Sequence, residues 1–145
     1  MNISGIQISL HVINNIKQAS IKSYPGESCG LLFGNSKLVM ESVVSPNLSD
    51  KLNRFEIDPS LRLKSEREMR KRKIYLVGHF HSHPNGLPVP SSIDKKNIYE
   101  PKLIWFIISV NQFQCGKLTA WKANKNKKSF KNLKIFPTNT YNFFR

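Results

Sequence analysis

Three histidines and an aspartate stand close together in the segment GHFHSHPNGLPVPSSID, residues 78–94. His79, His81 and His83 occupy every second position, and side chains two residues apart on a strand point to the same face. Neutral imidazoles and carboxylates are ligands that suit Zn²⁺. A catalytic zinc needs three protein ligands and one open position, so Asp94 is the candidate third ligand beside His81 and His83.

The same residues also allow interpretations without a metal. A His-x-His pair is by itself a weak signal, and Ser91-x-x-Asp94 matches a helix capping box. His79 shares the strand face of His81 and His83 but lies about 7 Å further along the strand from His81. A supporting or core role therefore fits His79 better than ligation.

Length and cysteine content bound the class of protein. The chain has 145 residues, which fits a single domain over residues 1–145 that buries roughly two-thirds of its unfolded surface. Such a core needs no metal for stability, and two cysteines are too few for a disulfide framework. No signal peptide is predicted, and the longest apolar run, residues 103–110, is too short to span a bilayer. We expect a cytoplasmic protein with no membrane partner.

The chain is strongly basic, with a formal net charge of +14 at pH 7. Residues 51–73 contain nine Lys and Arg, and residues 117–134 contain seven. Such a field favours an acidic partner, either an acidic protein or nucleic acid. A lysine-rich surface that serves only solubility is an equally good interpretation.

Periodicity and capping signals outline the elements that must position these residues. A first helix is predicted over residues 9–24, and a second runs from the N-cap Asp58 to about Arg72. A short helix is predicted over residues 91–100. The first helix should bury Leu10, Ile13, Ile16 and Ala19. Strands are predicted at residues 27–35, 37–45, 74–83, 103–110, 115–123 and 130–137, which together indicate an α/β (α+β) domain with one mixed central sheet flanked by helices.

The spacing His-x-His, seven residues, Ser, two residues, Asp resembles the signature of the JAMM metallopeptidases, also called the JAB/MPN family. Glu27, within PGESCGLLFG, resembles the early-strand glutamate of that family. SPN followed by RFEIDP resembles its segment before the long helix, and WFIISV and LTAWK resemble its later strands. The resemblance covers roughly residues 9–123 and is to compact prokaryotic, deubiquitinase-like members.

The resemblance implies a JAB/MPN-like fold and a role for each matching residue. His81, His83 and Asp94 would bind one Zn²⁺ per chain, and the zinc-bound water would be the nucleophile. Glu27 would take a proton from that water and pass it to the leaving amine. Ser91 would hydrogen-bond the oxyanion of the tetrahedral intermediate.

Three further residues need separate interpretations. The hydroxyl of Ser91 cannot easily cap a helix and serve an oxyanion at once, so we expect Ser92 or a backbone group to help at the helix start. Cys29 shares the strand face of Glu27, and we interpret it as a buried free cysteine rather than a nucleophile. His11 is expected to be structural or at the surface.

The resemblance further implies the reaction and its partners. The enzyme would be a zinc-dependent isopeptidase or peptidase that cleaves after the C-terminal Gly of a ubiquitin-like protein, in deconjugation or precursor processing. Partners would be that protein and its conjugates, with E1- and E2-like enzymes of the same operon, in some relatives for anti-phage defence. A Gly-terminated tail could lie as an extended strand beside a sheet edge.

Other functions remain open at this stage. The basic segment 58–73 could dock an acidic modifier, a hypothesis that rests on charge alone. The alternative function is a RadC-like nucleic-acid-associated role that uses the basic surface. A third is a metal-free scaffold that only binds partners, which the five filled positions disfavour.

Overall fold

Seven strands and three helices make up the described part of the chain, residues 4–139 except 125 and 127, in this computed structural model. They follow in the order β1 (Gly5–Ser9), α1 (Leu10–Ser23), β2 (Cys29–Gly34), β3 (Leu38–Ser45), α2 (Pro59–Arg70), β4 (Tyr75–Pro84), α3 (Ser92–Lys96), β5 (Ile104–Val110), β6 (Cys115–Asn124) and β7 (Ser129–Thr138).

The strands form one mixed sheet that closes on itself in the order β1-β3-β2-β4-β5-β6-β7. β1 pairs in parallel with both β3 and β7, and β4 pairs in parallel with β5, whereas the remaining pairs are antiparallel. The predicted mixed sheet with flanking helices is confirmed. β1 was not predicted, because it has only five residues and its partner β7 lies at the other end of the sequence.

The sheet is covered on both faces, which explains why every residue of β2 is buried. Leu32 belongs to the larger core cluster, in which Val12 and Ile16 of α1 pack with Phe80 of β4. Its neighbour Leu31 points the other way and belongs to a cluster that includes Met69 of α2. The alternation of β2 therefore serves two cores, as expected for a central strand with a helix on each side.

The first helix is confirmed, but one position of its predicted buried face is wrong. Val12, Ile16 and Ala19 form the buried stripe, at helical spacing, and Leu10 is 51% exposed. α1 begins directly after β1, so the end of that strand sets the rotation of the helix and turns Leu10 away from the sheet.

The second and third helices frame the segment with the histidines. Asp58 caps α2 by accepting a hydrogen bond from the backbone N–H of Ser60 at 2.9 Å, as its sequence predicts. α3 is shorter than predicted, because Asn97 bonds its side chain to Ile93 O at 2.8 Å and leaves the helical conformation. None of the described helices is long and apolar enough to cross a membrane.

The core cluster beneath α1 should dominate the stability of the fold. Phe80 is fully buried there, and we predict that Phe80→Ala lowers the free energy of unfolding by about 3–5 kcal/mol in urea titrations. The matched control is Phe113→Ala, because Phe113 is 85% exposed and its loss should change stability by no more than about 0.5 kcal/mol. Equal losses in both variants would contradict this account of the core.

Candidate metal centre

The strand β4 places His81 and His83 on the face of the sheet opposite α1, since Phe80 points into the α1 core and side chains alternate. The residues just before β2 bring Glu27 beside them. The backbone N–H of Ser28 donates to Ser82 Oγ at 2.8 Å, and the N–H of Ser82 donates to Ser28 O at 3.1 Å. These two bonds lock the start of β2 to β4 and fix where Glu27 stands.

The loop after β4 brings α3 back to the end of that strand. Asn85, in the left-handed region at φ 58°, donates its backbone N–H to Val110 O at 2.7 Å and accepts from Tyr24 Oη at 3.0 Å. Thr119 Oγ1 donates to Pro88 O at 2.6 Å. The loop is therefore tied to three other parts of the fold, and its course to α3 is fixed.

A complete capping box starts α3. Ser91 Oγ accepts from the backbone N–H of Asp94 at 3.0 Å, and the N–H of Ser91 donates to Asp94 Oδ2 at 2.9 Å. Ser91 thus forms the cap itself, and the expectation that Ser92 or a backbone group would help there is wrong. The two tasks do not conflict, because a hydroxyl that accepts at the cap keeps its own O–H to donate.

The five predicted site residues come together at this point. His81 Nε2 and His83 Nε2 lie 3.0 Å apart, and Asp94 Oδ2 lies 3.2 Å from each of them. A carboxylate oxygen of Glu27 and one ring nitrogen of each histidine all lie within 4.8 Å of one another. Two carboxylates therefore flank the histidine pair, and Asp94 is the closer of the two. Ser91 joins the group through its two hydrogen bonds with Asp94.

The donor set fits a zinc ion. Ligand atoms of a tetrahedral Zn²⁺ with bonds of about 2.0–2.1 Å are about 3.3 Å apart, close to the distances among His81 Nε2, His83 Nε2 and Asp94 Oδ2. His83 donates from Nδ1 to Leu87 O at 2.8 Å, so its Nε2 lone pair stays free for a metal. Sequence reasoning missed Leu87, whose contribution is a backbone carbonyl.

Burial and mutual contacts shift the ionisation of the two carboxyls in opposite directions. Burial raises the pKa of Glu27 to about 7, with His83 opposing and Asp94 adding to the rise. Burial also acts to raise the pKa of Asp94, but hydrogen bonds from His81 and His83 outweigh it and hold that pKa well below its usual range. Asp94 is therefore charged at neutral pH, whereas Glu27 can carry a proton.

Burial and neighbouring charges also shift the pKa values of the histidines. Burial lowers the pKa of His81. Burial also acts to lower the pKa of His83, but its bonds to Asp94 and to Leu87 O leave it raised. The pKa of His79 is lowered to about 3 by burial and by neighbouring His81, so His79 is a neutral ring at pH 7. His79 packs edge-on against Trp105 with ring centroids 4.5 Å apart, and its Nδ1 has no hydrogen-bond partner among the described residues.

The two other residues interpreted from the sequence lie as expected. Cys29 is a fully buried free cysteine, and burial together with the charge of Glu27 raises the pKa of its thiol to about 12. It is therefore a neutral thiol that stays protonated at pH 7. His11 is half exposed on α1 and bonds to Ser9 and to Glu41, on the other side of the sheet from His81.

A cavity of about 710 Å³ adjoins the candidate metal centre at Asp94. It lies between the loop before α2 and the segment from α3 to β5, and its lining includes Asp94 and His79. Arg62 of α2 and Glu100, which pair across it with Nη2 and Oε2 2.8 Å apart, also line it. Sequence reasoning missed Phe55 and Asn47 in this region, although both belong to segments that carried the family resemblance.

Comparison with protein families and known sequences agrees with this geometry. Residues 9–124 match the family described as prokaryotic homologs of the JAB domain. The chain is 31% identical over 125 residues to a desampylase of Pyrococcus furiosus, covering 86% of both chains. It is 26% identical over 112 residues to a desampylase of Haloferax volcanii, covering 75% of this chain and 78% of the relative.

Solved structures match over nearly the whole chain. A protein from Desulfitobacterium hafniense superposes with a TM-score of 0.80 at 25% identity, covering 92% of this chain and 93% of its own. A JAB1/MPN domain protein from Archaeoglobus fulgidus superposes with a TM-score of 0.58 at 17% identity, covering 90% of this chain and 98% of its own. The second likeness identifies the fold as that of JAB/MPN proteins.

The convergent donors lead to a prediction about metal binding. We predict that the protein binds one Zn²⁺, and that Zn²⁺ at about 100 times its Kd raises the free energy of unfolding by about 2.7 kcal/mol. His81→Ala should abolish this gain, measured by calorimetric titration and urea unfolding. His11→Ala, a histidine outside the site, should bind Zn²⁺ as the wild type does. Unchanged binding by His81→Ala would contradict the assignment.

Proposed function

The chain belongs to the prokaryotic homologs of the JAB domain, and from this we propose that it is a metal-dependent isopeptidase acting on conjugates of a ubiquitin-like protein. One observation carries the proposal. His81, His83 and Asp94 bring three ligand atoms within 3.2 Å of one another, with the carboxyl of Glu27 beside them. This is the arrangement that a hydrolytic metal site needs: three ligands and a separate proton acceptor.

In the proposal His81, His83 and Asp94 hold one Zn²⁺. When bound, Zn²⁺ supplies Lewis acidity that polarises a carbonyl and lowers the pKa of a water molecule toward neutrality. The chain contributes the orientation of the ligands. Leu87 O fixes the ring of His83, and the N–H of Ser91 holds Asp94 Oδ2.

Glu27 is the proposed proton carrier. Its buried carboxyl receives no side-chain or backbone hydrogen bond from the described residues, so its oxygens are available to a reacting group. A carboxylate so placed can take a proton from the attacking water and give that proton to the leaving amine. The water oxygen forms a bond to the amide carbon, the carbon–nitrogen bond breaks, and the proton removed from the water leaves with the amine.

Ser91 is the proposed donor to the oxyanion. Asp94 N–H fixes the position of Ser91 Oγ through the cap, and the hydroxyl hydrogen remains free to point at the developing negative charge. A donor held in place before the reaction costs no reorganisation when the charge forms. The cap and the catalytic role thus use different parts of one hydroxyl.

The names of the relatives support the substrate class. Both are called desampylases, enzymes that act on conjugates of ubiquitin-like SAMP proteins. We propose that this chain likewise releases a ubiquitin-like modifier with a Gly-terminated tail. The sheet closes, but β1 pairs with β3 at only two positions, so addition of the tail at a sheet edge stays a prediction. We place the tail in the cavity beside Asp94, because that cavity adjoins a proposed ligand.

The exposed face of α2 is the proposed docking surface for the body of the modifier. Ion pairs neutralise Arg62, Lys71 and Arg72. Lys64, Arg67 and Arg70 are exposed and have no ion pair within the described part of the chain. Because α2 begins at the rim of the cavity, a modifier whose tail occupies the cavity has its body near these charges.

Other expectations from the sequence and from the resemblance remain predictions. They concern E1- and E2-like partners, a role in phage defence, one domain over residues 1–145 and a cytoplasmic location. The RadC-like alternative also remains a prediction, since a basic surface suits phosphate groups as well as acidic proteins.

The first test replaces the proposed proton carrier. We predict that Glu27→Gln lowers kcat about 10²–10⁴-fold on a Gly-Gly isopeptide-linked conjugate while Zn²⁺ binding persists, because the amide removes the base and keeps the volume. Gln18→Glu, the reverse exchange of similar volume at an exposed position of α1, is the control and should cleave normally. In the native host the Glu27→Gln protein should retain Gly-Gly-linked adducts, identified by mass spectrometry. Full activity of Glu27→Gln would exclude this role.

The second test separates the docking surface from the reaction. We predict that Lys64→Glu, Arg67→Glu and Arg70→Glu together raise KM for a folded conjugate at least about tenfold and leave cleavage of a short Gly-Gly isopeptide unchanged. The control reverses the same number of exposed charges on β6 and β7: Lys122→Glu, Lys131→Glu and Lys134→Glu. Equal effects of both triple variants would refute a specific surface. Salt-dependent DNA binding with no conjugate cleavage by wild type would favour the RadC-like role.

A further inference from the structure

The two histidines of the site are held by different means. His83 donates its Nδ1–H to Leu87 O at 2.8 Å, which fixes both the tautomer and the rotation of its ring. His81 is fully buried, yet its Nδ1 has no hydrogen-bond partner among the described residues. Histidines that bind metals almost always donate this second N–H to a partner that orients the ring. Some other contact must therefore orient His81.

That contact is the aromatic ring of Phe55. It stacks on the imidazole of His81 with ring centroids 4.3 Å apart and an interplanar angle of 17°. Trp105 meets the same imidazole edge-on at 5.8 Å and 84°. Rotation of His81 out of its plane would collide with the face of Phe55, so packing restrains the ring where hydrogen bonding does not.

Phe55 belongs to the covering loop, which we define as residues 46–57 between β3 and α2. No helix or strand runs through it. Its two ends are joined by the bridge between Asn47 and Ile57 and by the bond from Leu48 N–H to Glu56 O at 2.9 Å. A loop of this kind needs further bonds to hold an aromatic ring in one place.

One side chain supplies those bonds. Asn47 Nδ2 donates to Arg54 O at 3.0 Å and to Glu27 O at 3.1 Å. Asn47 Oδ1 accepts from the backbone N–H groups of Ser49 at 3.0 Å and Glu56 at 2.9 Å. The amide thus uses both donors and both acceptor sites, and it bonds the residues on either side of Phe55 as well as the backbone of Glu27.

We propose that Asn47 and Phe55 are positioning residues of the site: Asn47 joins the covering loop to Glu27, and Phe55 keeps the ring of His81 in its metal-binding orientation. Neither residue touches the reacting atoms. The inference rests on the proposed function for its kinetic effects, and its effects on metal binding can be measured without cleavage.

The test of Asn47 uses Asn47→Asp, which keeps the acceptor oxygen and removes both donors. It sets a carboxylate oxygen against Glu27 O and Arg54 O, so the covering loop should part from Glu27. We expect kcat on a short Gly-Gly isopeptide to fall about 10–100-fold. KM should rise as well, because the covering loop lines the cavity proposed for the tail. Asn35→Asp is the matched control, because the side chain of Asn35, in a turn before β3, accepts two hydrogen bonds through Oδ1 and donates none to the described residues. It should leave kcat unchanged.

The test of Phe55 uses Phe55→Leu, which keeps an apolar side chain and removes the flat ring. We expect the affinity for Co²⁺, used as a spectroscopic substitute for Zn²⁺, to fall about tenfold or more, with a changed visible absorption spectrum. Phe55→Tyr restores a ring that can stack on His81 and should restore both affinity and spectrum. A loss caused only by general destabilisation would not be rescued in this way, and urea unfolding of the metal-free variants measures that destabilisation separately.

The outcomes distinguish this inference from the proposed function. Wild-type kcat in Asn47→Asp together with wild-type Co²⁺ affinity in Phe55→Leu would overturn the inference. A lower Co²⁺ affinity in Phe55→Leu with rescue by Phe55→Tyr supports the orienting role of Phe55 even if the wild type cleaves no Gly-Gly isopeptide. That last result would reject the proposed function and leave the orientation of His81 as inferred.

Discussion

A buried carboxylate oxygen, Asp94 Oδ2, is the contact on which the rest of the site depends. It accepts the N–H of Ser91 at 2.9 Å and lies 3.2 Å from the Nε2 atoms of His81 and His83. A buried carboxylate without such partners would be strongly destabilising. The return of α3 to β4, the ties of the intervening loop and the capping box all serve to bring this one oxygen to the histidines. The contacts that stabilise the buried charge of Asp94 are therefore the same contacts that position the site.

The sequence predicted what is local. His81 and His83 share a face because strand residues alternate, and the cap of α3 follows from Ser91 and Asp94 three residues apart. The contacts that complete the site are not local. Leu87 acts through a carbonyl that any residue could supply. The pairing of β1 with β7 joins segments near opposite ends of the chain, and no periodicity in either segment predicts it.

The distribution of charge is a second feature that the sequence alone does not predict. The sequence shows nine basic residues between positions 51 and 73 but not which of them remain unpaired. The fold brings Glu100 to Arg62 and Glu41 to Arg72 from elements distant in sequence. Exposed pairs of this kind contribute little to stability, yet they remove charge from one part of the helix and leave it on another. The distribution of free charge, which a partner meets, is thus a property of tertiary structure.

The side-chain amide of Asn47 joins the covering loop, which lines the cavity, to the backbone of the proposed base Glu27. Phe55, in the same loop, lies against His81. A segment that enters the cavity therefore presses on a loop whose displacement would move a proposed ligand and the proposed base together. Because the loop has no helix or strand of its own, few other bonds would resist such a displacement. In the proposed function, binding of the tail and alignment of the reacting groups would therefore depend on the same loop.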